Sequence, residues 1–222
     1  MTGFVLASAS PARRQVLRAA GVDPFVRISD VDEDAVAAAL PDGTSPEGVV
    51  VALAAAKAES VAAALISEHA DVTADCVVVG CDSMLLVDGE LQGKPLTVEV
   101  ARARWAAMAG RSAELLTGHC VLRLRDGQIV KVAHDCGGTT VHFGKPEPEE
   151  LDAYLATGEP LRVAGAFTLD GRGGWFVDGL SGDPSSVIGI GLPLLRRLLG
   201  DVGVSIAQLW VGGAQLGSDP AS

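Results

Sequence analysis

Short unbroken apolar runs alternate with helical stripes along this chain. "FVLAS" (4–8) is such a run, the pattern of a buried strand. "SPARRQVLRAAG" (10–21) follows at once: Ser10 suits an N-cap, Pro11 the first helical position, and Val16, Leu17 and Ala20 an apolar stripe that Gly21 ends. Residues 46–67 predict a long alanine-rich helix whose only cation is Lys57. "CVVVGCDS" (76–83) predicts a second core strand with Asp82 at its tip, and Asp88-Gly89 in "MLLVDGELQG" a two-residue hairpin turn. Residues 97–109 predict a helix and 114–143 long antiparallel strands around a second turn at Asp126-Gly127. Residues 147–157 predict a short helix, and "VIGIGLPLLRRLL" (187–199) a strand-like entry into a late helix. Strands alternating with helices, plus a meander, give an α/β fold with one mixed sheet flanked by helices.

Length and charge narrow the picture. A chain of 222 residues can bury a full core. No internal repeat or linker divides it, so residues 1–212 are expected as a single domain and 213–222 as a flexible tail. A net charge of -11, from 17 Lys+Arg against 28 Asp+Glu, argues against a nucleic-acid polymer as partner. It leaves room for a small anion held by a few convergent cations. Cys76, Cys81, Cys120 and Cys136 have no metal or disulfide spacing, and no signal peptide is expected. The apolar runs are expected to fall short of the ~18–20 residues of a membrane span. A cytoplasmic protein without a membrane partner is expected.

The chemistry is carried by scattered single residues. A strand running through a tight turn into a helix start receives anions, and Ser8, Ser10 and Arg13 line that turn. Arg13 and Arg14 lie unfavourably near the positive end of the helix dipole, a cost that an anionic ligand would offset. Asp82, beyond a core strand, is either a solvated or capping acid, or one that binds Mg²⁺ or takes a proton from water. Lys94 in "GKP" is no phosphate-loop lysine, because that pattern needs glycine where Asp88 stands and Ser or Thr where Pro95 stands. Lys57, among alanines, would ordinarily turn outward. The acidic run 30–36 reads as a solvated helix start, with Glu33 the alternative second metal or water ligand. The four histidines lack zinc spacing, and no G-x-S-x-G elbow is present. Together these parts suit Mg²⁺-assisted phosphate chemistry.

Taken in order, the segments resemble the Maf family of nucleoside triphosphate pyrophosphatases, once described as septum-formation inhibitors. "LASASPARR" resembles the family opening L-A-S-x-S-P-x-R. "VDE" (31–33), Lys57 in "AAKAES" and "VVGCDSMLLVDGELQGKP" resemble the next three blocks, and "GEPLRVAGAFTLDG" and "GDPSSVIGIGLPL" the last two. The resemblance spans roughly residues 4–200 in colinear order. It implies a Maf/ITPase-like fold of two lobes with a cleft, often dimeric, and hydrolysis of the α–β phosphate link with a divalent cation, Mg²⁺ or Mn²⁺. Asp82 matches the family's catalytic acid, while Ser8, Ser10, Arg13, Glu33, Lys57 and Lys94 match its substrate-binding and metal-site residues. The triphosphate and cation are then expected between Asp82 and Lys94, with Asp82 and Glu33 on the metal. Asp82 either takes the proton of the attacking water or holds the metal that activates it. Cations gathered in such a cleft repel one another, so truncating Lys57 or Lys94 is expected to leave stability unchanged or raised.

Three positions depart from the relatives that act on dTTP and UTP. The first of their two arginines after S-P, the threonine after the catalytic acid and the glutamine of I-Q-G are here Ala12, Ser83 and Asp170. The acid resembles relatives that act on 7-methyl-GTP, since a carboxylate can accept from a guanine edge. Two rivals remain: a pyrophosphatase for deaminated purine triphosphates, and a division regulator that binds nucleotide without essential catalysis.

Overall fold

The computed structural model describes residues 2–212. The C-terminal tail expected over 213–222 lies outside the described residues. The strands are β1 (Gly3–Ala7), β2 (Phe25–Val26), β3 (Asp75–Val87), β4 (Glu90–Gln92), β5 (Ser112–Arg125), β6 (Gln128–Phe143) and β7 (Val177–Ser181). They form one mixed sheet in the order β2-β1-β3-β5-β6-β7, with β4 paired to β3. β1 runs parallel to β2 and β3, whereas β3–β4 and β6–β7 are antiparallel. The helices are α1 (Pro11–Ala19), α2 (Glu33–Ala38), α3 (Pro46–Glu68), α4 (Ala70–Thr73), α5 (Val98–Met108), α6 (Pro148–Ala156), α7 (Pro184–Ile188), α8 (Leu192–Asp201) and α9 (Ile206–Gly212).

The chain separates into two compact units. The first holds residues up to Asp82, Gly118–Cys136 and the segment from Leu192 onward; the second holds Ser83–Thr117 and Gly137–Gly191. In the first, Ala54, Ala58, Val61 and Leu65 of α3 pack on Val5, Ala7, Cys76 and Val78 and on alternate residues of β5. In the second, Trp105 is the hub: its ring meets Phe143, Tyr154 and Phe176 edge-on at 5.7, 6.2 and 5.8 Å. Its indole N–H donates to the carbonyl of Ala166.

Two expectations about the elements need correction. "VIGIG" is not strand-like: Val187 and Ile188 end α7, which Asp183 caps through the N–H of Ser185. Pro184 and the Asp183 cap favour a helical turn over the β-branched pair. Asp82 is not at a strand tip either. β3 continues through it to Val87, because "MLLV" pairs with β4 across the Asp88-Gly89 turn. Both turn residues have positive φ, 50° and 88°, as a two-residue hairpin turn requires.

The helix α3 shows why this unit is so rich in alanine. A Cβ on Gly80 would sit 2.1 Å from the carbonyl oxygen of Ala54, and one on Gly118 2.3 Å from that of Val50. Glycine in β3 and in β5 therefore lets the backbone of α3 lie directly on the sheet. By length and composition Pro46–Glu68 is long and apolar enough to cross a membrane, contrary to the expectation from sequence. Here its apolar residues fill the core of the first unit.

Candidate active site

The parallel register builds the site. Gly3–Ala7 of β1 pair in step with Cys76–Gly80 of β3, so Ser8 leaves β1 beside Cys81 and Asp82. The carboxyl ends of neighbouring parallel strands are where α/β sheets gather ligands. Ser10 then caps α1 by accepting the N–H of Arg13 at 3.4 Å, and Pro11 takes the first helical position as expected.

The first turn of α1 is tied to β3 by a single guanidinium. Nη1 of Arg13 donates to Ser8 Oγ at 3.0 Å and to the carbonyl oxygen of Cys81 at 2.8 Å. Ser8 Oγ also accepts the N–H of Ser10 at 3.2 Å. Ser8, Ser10 and Arg13 thus form one linked group at the residue preceding Asp82. Ala12 lies one position along the same turn, partly exposed.

Lys57 reaches this point from the opposite element, α3. The close approach over Gly80 carries it inward, so the outward lysine expected from an alanine-rich helix is overturned. Its Nζ lies 2.6 Å from Asp82 Oδ1 and 2.9 Å from Glu33 Oε1. The Lys57 and Asp82 side chains are each 9% exposed, whereas that of Glu33 is 43% exposed. Glu33 opens α2, and its neighbour Asp32 caps that helix through the N–H of Ala35. The run 30–36 is therefore a helix start, as its composition predicts, but its first helical residue is also a partner of the buried pair.

The chemistry open to this group follows from its charges. Two carboxylates converge on one cationic point, and oxygen donors of that kind are what Mg²⁺ and Mn²⁺ take. Among the described residues no group of three or more His, Cys, Asp or Glu could hold a metal. Two carboxylates suffice where substrate phosphates and water complete the shell. Burial pushes the pKa of the neighbouring Cys81 thiol up to about 11, which disfavours its thiolate form.

The remaining candidates belong to the second unit. Ser83 Oγ shares a hydrogen bond of 3.0 Å with Thr117 Oγ1, which donates to the carbonyl of Ser186. Lys94 is exposed on the "GKP" loop. That loop is pinned at Gly93, whose carbonyl accepts from Arg104 Nη1 and from the N–H of Gly165. Burial lowers the pKa of Arg104. Asp170 is exposed on the loop that follows Phe167.

Glu159 organises that loop and went unnoticed in the sequence. It accepts from Thr168 Oγ1, from the N–H of Gly173 at 3.2 Å and from Arg172 at 3.2 Å. Burial pushes its carboxyl pKa up, but the hydrogen bonds from Thr168, Gly173 and Arg172 outweigh it and the net shift is downward. The glycines of "LDGRGG" were the available signal. A Cβ at Gly173 would lie 2.6 Å from the backbone of Thr168, a closeness that only a folded-back loop produces.

The model of the family described as Maf-like protein matches residues 3–202. The chain belongs to the Maf family. A relative from Nocardia farcinica (strain IFM 10152), named "Nucleoside triphosphate pyrophosphatase", is 80% identical over 207 residues, covering 93% of this chain and 96% of the relative. Relatives of the same name from Rhodococcus jostii (strain RHA1) and Mycolicibacterium gilvum (strain PYR-GCK) are 65% and 59% identical. They cover 97% and 95% of this Maf chain, and 100% and 99% of their own lengths.

Proposed function

We propose that this Maf protein hydrolyses the α–β phosphate link of a nucleoside triphosphate, giving a nucleoside monophosphate and pyrophosphate. The observation that carries the reading is the buried Lys57–Asp82 pair, joined by Glu33, beside the anion-receiving start of α1. The shared name of its relatives supports the same reading.

Each residue then has a chemical task. The N–H groups at the start of α1, with Ser10 and Arg13, receive phosphate oxygens. Asp82 and Glu33 hold a divalent cation, Mg²⁺ or Mn²⁺, which when bound offsets charge on the phosphates. Asp82 either accepts the proton of the attacking water or serves only as a ligand to the cation, which would supply charge stabilisation there. Lys57 stabilises charge as the bridging oxygen leaves, and Lys94 binds a phosphate oxygen. We further propose a cytoplasmic protein, in keeping with four cysteines that are all free thiols.

Base choice is proposed from Ala12, Ser83 and Asp170. An acceptor such as Asp170 repels O4 of uracil or thymine but accepts from the N1–H and amino group of guanine or 7-methylguanine. A guanine-type triphosphate is therefore the proposed preferred class.

The test is turnover in ¹⁸O-labelled water. Attack at the α-phosphorus puts the label in the monophosphate. Label in pyrophosphate means attack at the β-phosphorus, and release of orthophosphate in place of pyrophosphate rejects the reading.

A further inference from the structure

Lys57 occupies the point at which the two proposed metal ligands converge. Its Nζ is within 2.6 Å of Asp82 Oδ1 and 2.9 Å of Glu33 Oε1. We propose that Lys57 is a built-in competitor for the divalent cation, so that the free protein binds the metal weakly and takes it up together with a nucleotide. This rests on the reading of Asp82 and Glu33 as metal ligands.

Charge arithmetic supports the competition. Arg13 and Lys57 bring two positive charges to the cluster, and Glu33 and Asp82 bring two negative ones. The formal sum is zero, so the cluster offers a bare dication no net attraction. A bare dication would also meet the ammonium at close range, where little water screens it. A triphosphate changes that balance, because its oxygens give the ammonium new anionic partners and leave both carboxylates to the metal.

The fold limits how Lys57 can yield. Its helix is locked on the sheet at Gly80, where the carbonyl of Ala54 leaves no room for a Cβ. The backbone therefore stays, and only the four-carbon stem can swing the ammonium from carboxylate to phosphate. Glu33, the more exposed acid, opens toward solvent, whereas Asp82 is enclosed with Lys57. The lysine thereby makes metal and nucleotide binding mutually dependent, a coupling that must act equally in both directions.

The experiment is a titration with Mn²⁺ in the absence of nucleotide, read by calorimetry or by the loss of free-ion EPR signal. Wild type is compared with Lys57→Met, with Lys57→Gln and with wild type saturated by an α,β-methylene triphosphate, which cannot be cleaved at that link. Removing the ammonium should tighten Mn²⁺ binding by about tenfold or more, and the analogue should do the same for wild type. Glu33→Gln in the Lys57→Met background should reverse the gain. Mn²⁺ binding by a folded Lys57 variant no tighter than wild type overturns the proposal, as does a gain that Glu33→Gln leaves intact. If neither variant folds, the wild-type titrations decide, and an analogue that gives no gain overturns it. Failure of the pyrophosphatase reading would show separately, as no turnover of any nucleotide by wild type.

Discussion

Lys57 and Asp82 form a buried ion pair, 2.6 Å from Nζ to Oδ1, with each side chain 9% exposed. The pair joins α3 to β3 two residues beyond the end of the parallel register of β1 and β3. Truncating Lys57 therefore does more than remove a phosphate contact: it leaves the buried Asp82 without the ammonium that pairs with it. The expectation that such a truncation would spare or raise stability does not hold for this lysine. Lys57→Met should lose about 3–4 kcal/mol, the lower part of the range for breaking a buried pair because Glu33 is partly solvated. Denaturant unfolding measures it, and an unchanged midpoint would show the pair to be dispensable. Lys94 is exposed, so Lys94→Ala should leave stability within about 0.5 kcal/mol while impairing turnover.

Asp82→Asn is nearly isosteric and keeps a hydrogen-bond acceptor for Lys57. Turnover should nevertheless fall by about 10²-fold or more, as expected on loss of a general base or metal ligand. Circular dichroism and steady-state kinetics on the same preparation test this, and near-wild-type turnover in a folded variant would remove Asp82 from the chemistry.

Gly80 is a sharper probe of how the site is held. A methyl group there would meet the Ala54 carbonyl at 2.1 Å, backbone against backbone, with no flexible side chain to move aside. Gly80→Ala should cost about 1–3 kcal/mol as overpacking. For a chain of this length that is roughly 2–4 °C of Tm per kcal/mol. Because α3 must lift, Lys57 moves with it, and activity should drop although no charged residue has changed. A variant with wild-type Tm and rate would contradict the packing account.

Much of this was legible in the sequence, and the reasons for the exceptions are physical. Ser10 and Pro11 announced α1, and both Asp-Gly turns carry the positive φ that a two-residue hairpin turn needs. The orientation of Lys57 was not legible, because α3 is apolar on nearly every side and its inward face is set by Gly80 and Gly118, far away in sequence. The two-residue strand β2 was too short to leave a pattern. Glu159 was not legible as an organising residue, because its three donors lie nine to fourteen residues later and only the fold brings them back upon it.

Glu159 also gives a pH prediction. Its pKa is lowered in the folded chain, so its contribution to stability is complete above the ordinary glutamate value, about 4.3, and is lost as pH falls through the lowered folded value. Tm measured from pH 7 to pH 3 should fall more steeply for wild type than for Glu159→Gln, with the two curves approaching each other at the acid end. Parallel curves would show that the loop does not depend on the carboxylate.

The base-pocket reading predicts selectivity. kcat/KM for a guanine or 7-methylguanine triphosphate should exceed that for dTTP by about tenfold or more, equivalent to ~1.4 kcal/mol. Asp170→Gln should narrow the gap. Competition between the nucleotides at equal concentration measures both, and a wild-type preference for dTTP or UTP would reject the base reading alone.

The central claim is that the Asp82–Lys57–Glu33 group cleaves the α–β link of a nucleoside triphosphate. It is tested most directly by incubating wild type and Asp82→Asn with a panel of nucleoside triphosphates and Mg²⁺, and identifying the phosphorus products by ³¹P NMR. The account predicts monophosphate and pyrophosphate in equal amounts from wild type, and almost none from Asp82→Asn. Diphosphate and orthophosphate from wild type, or equal pyrophosphate from both proteins, would contradict it.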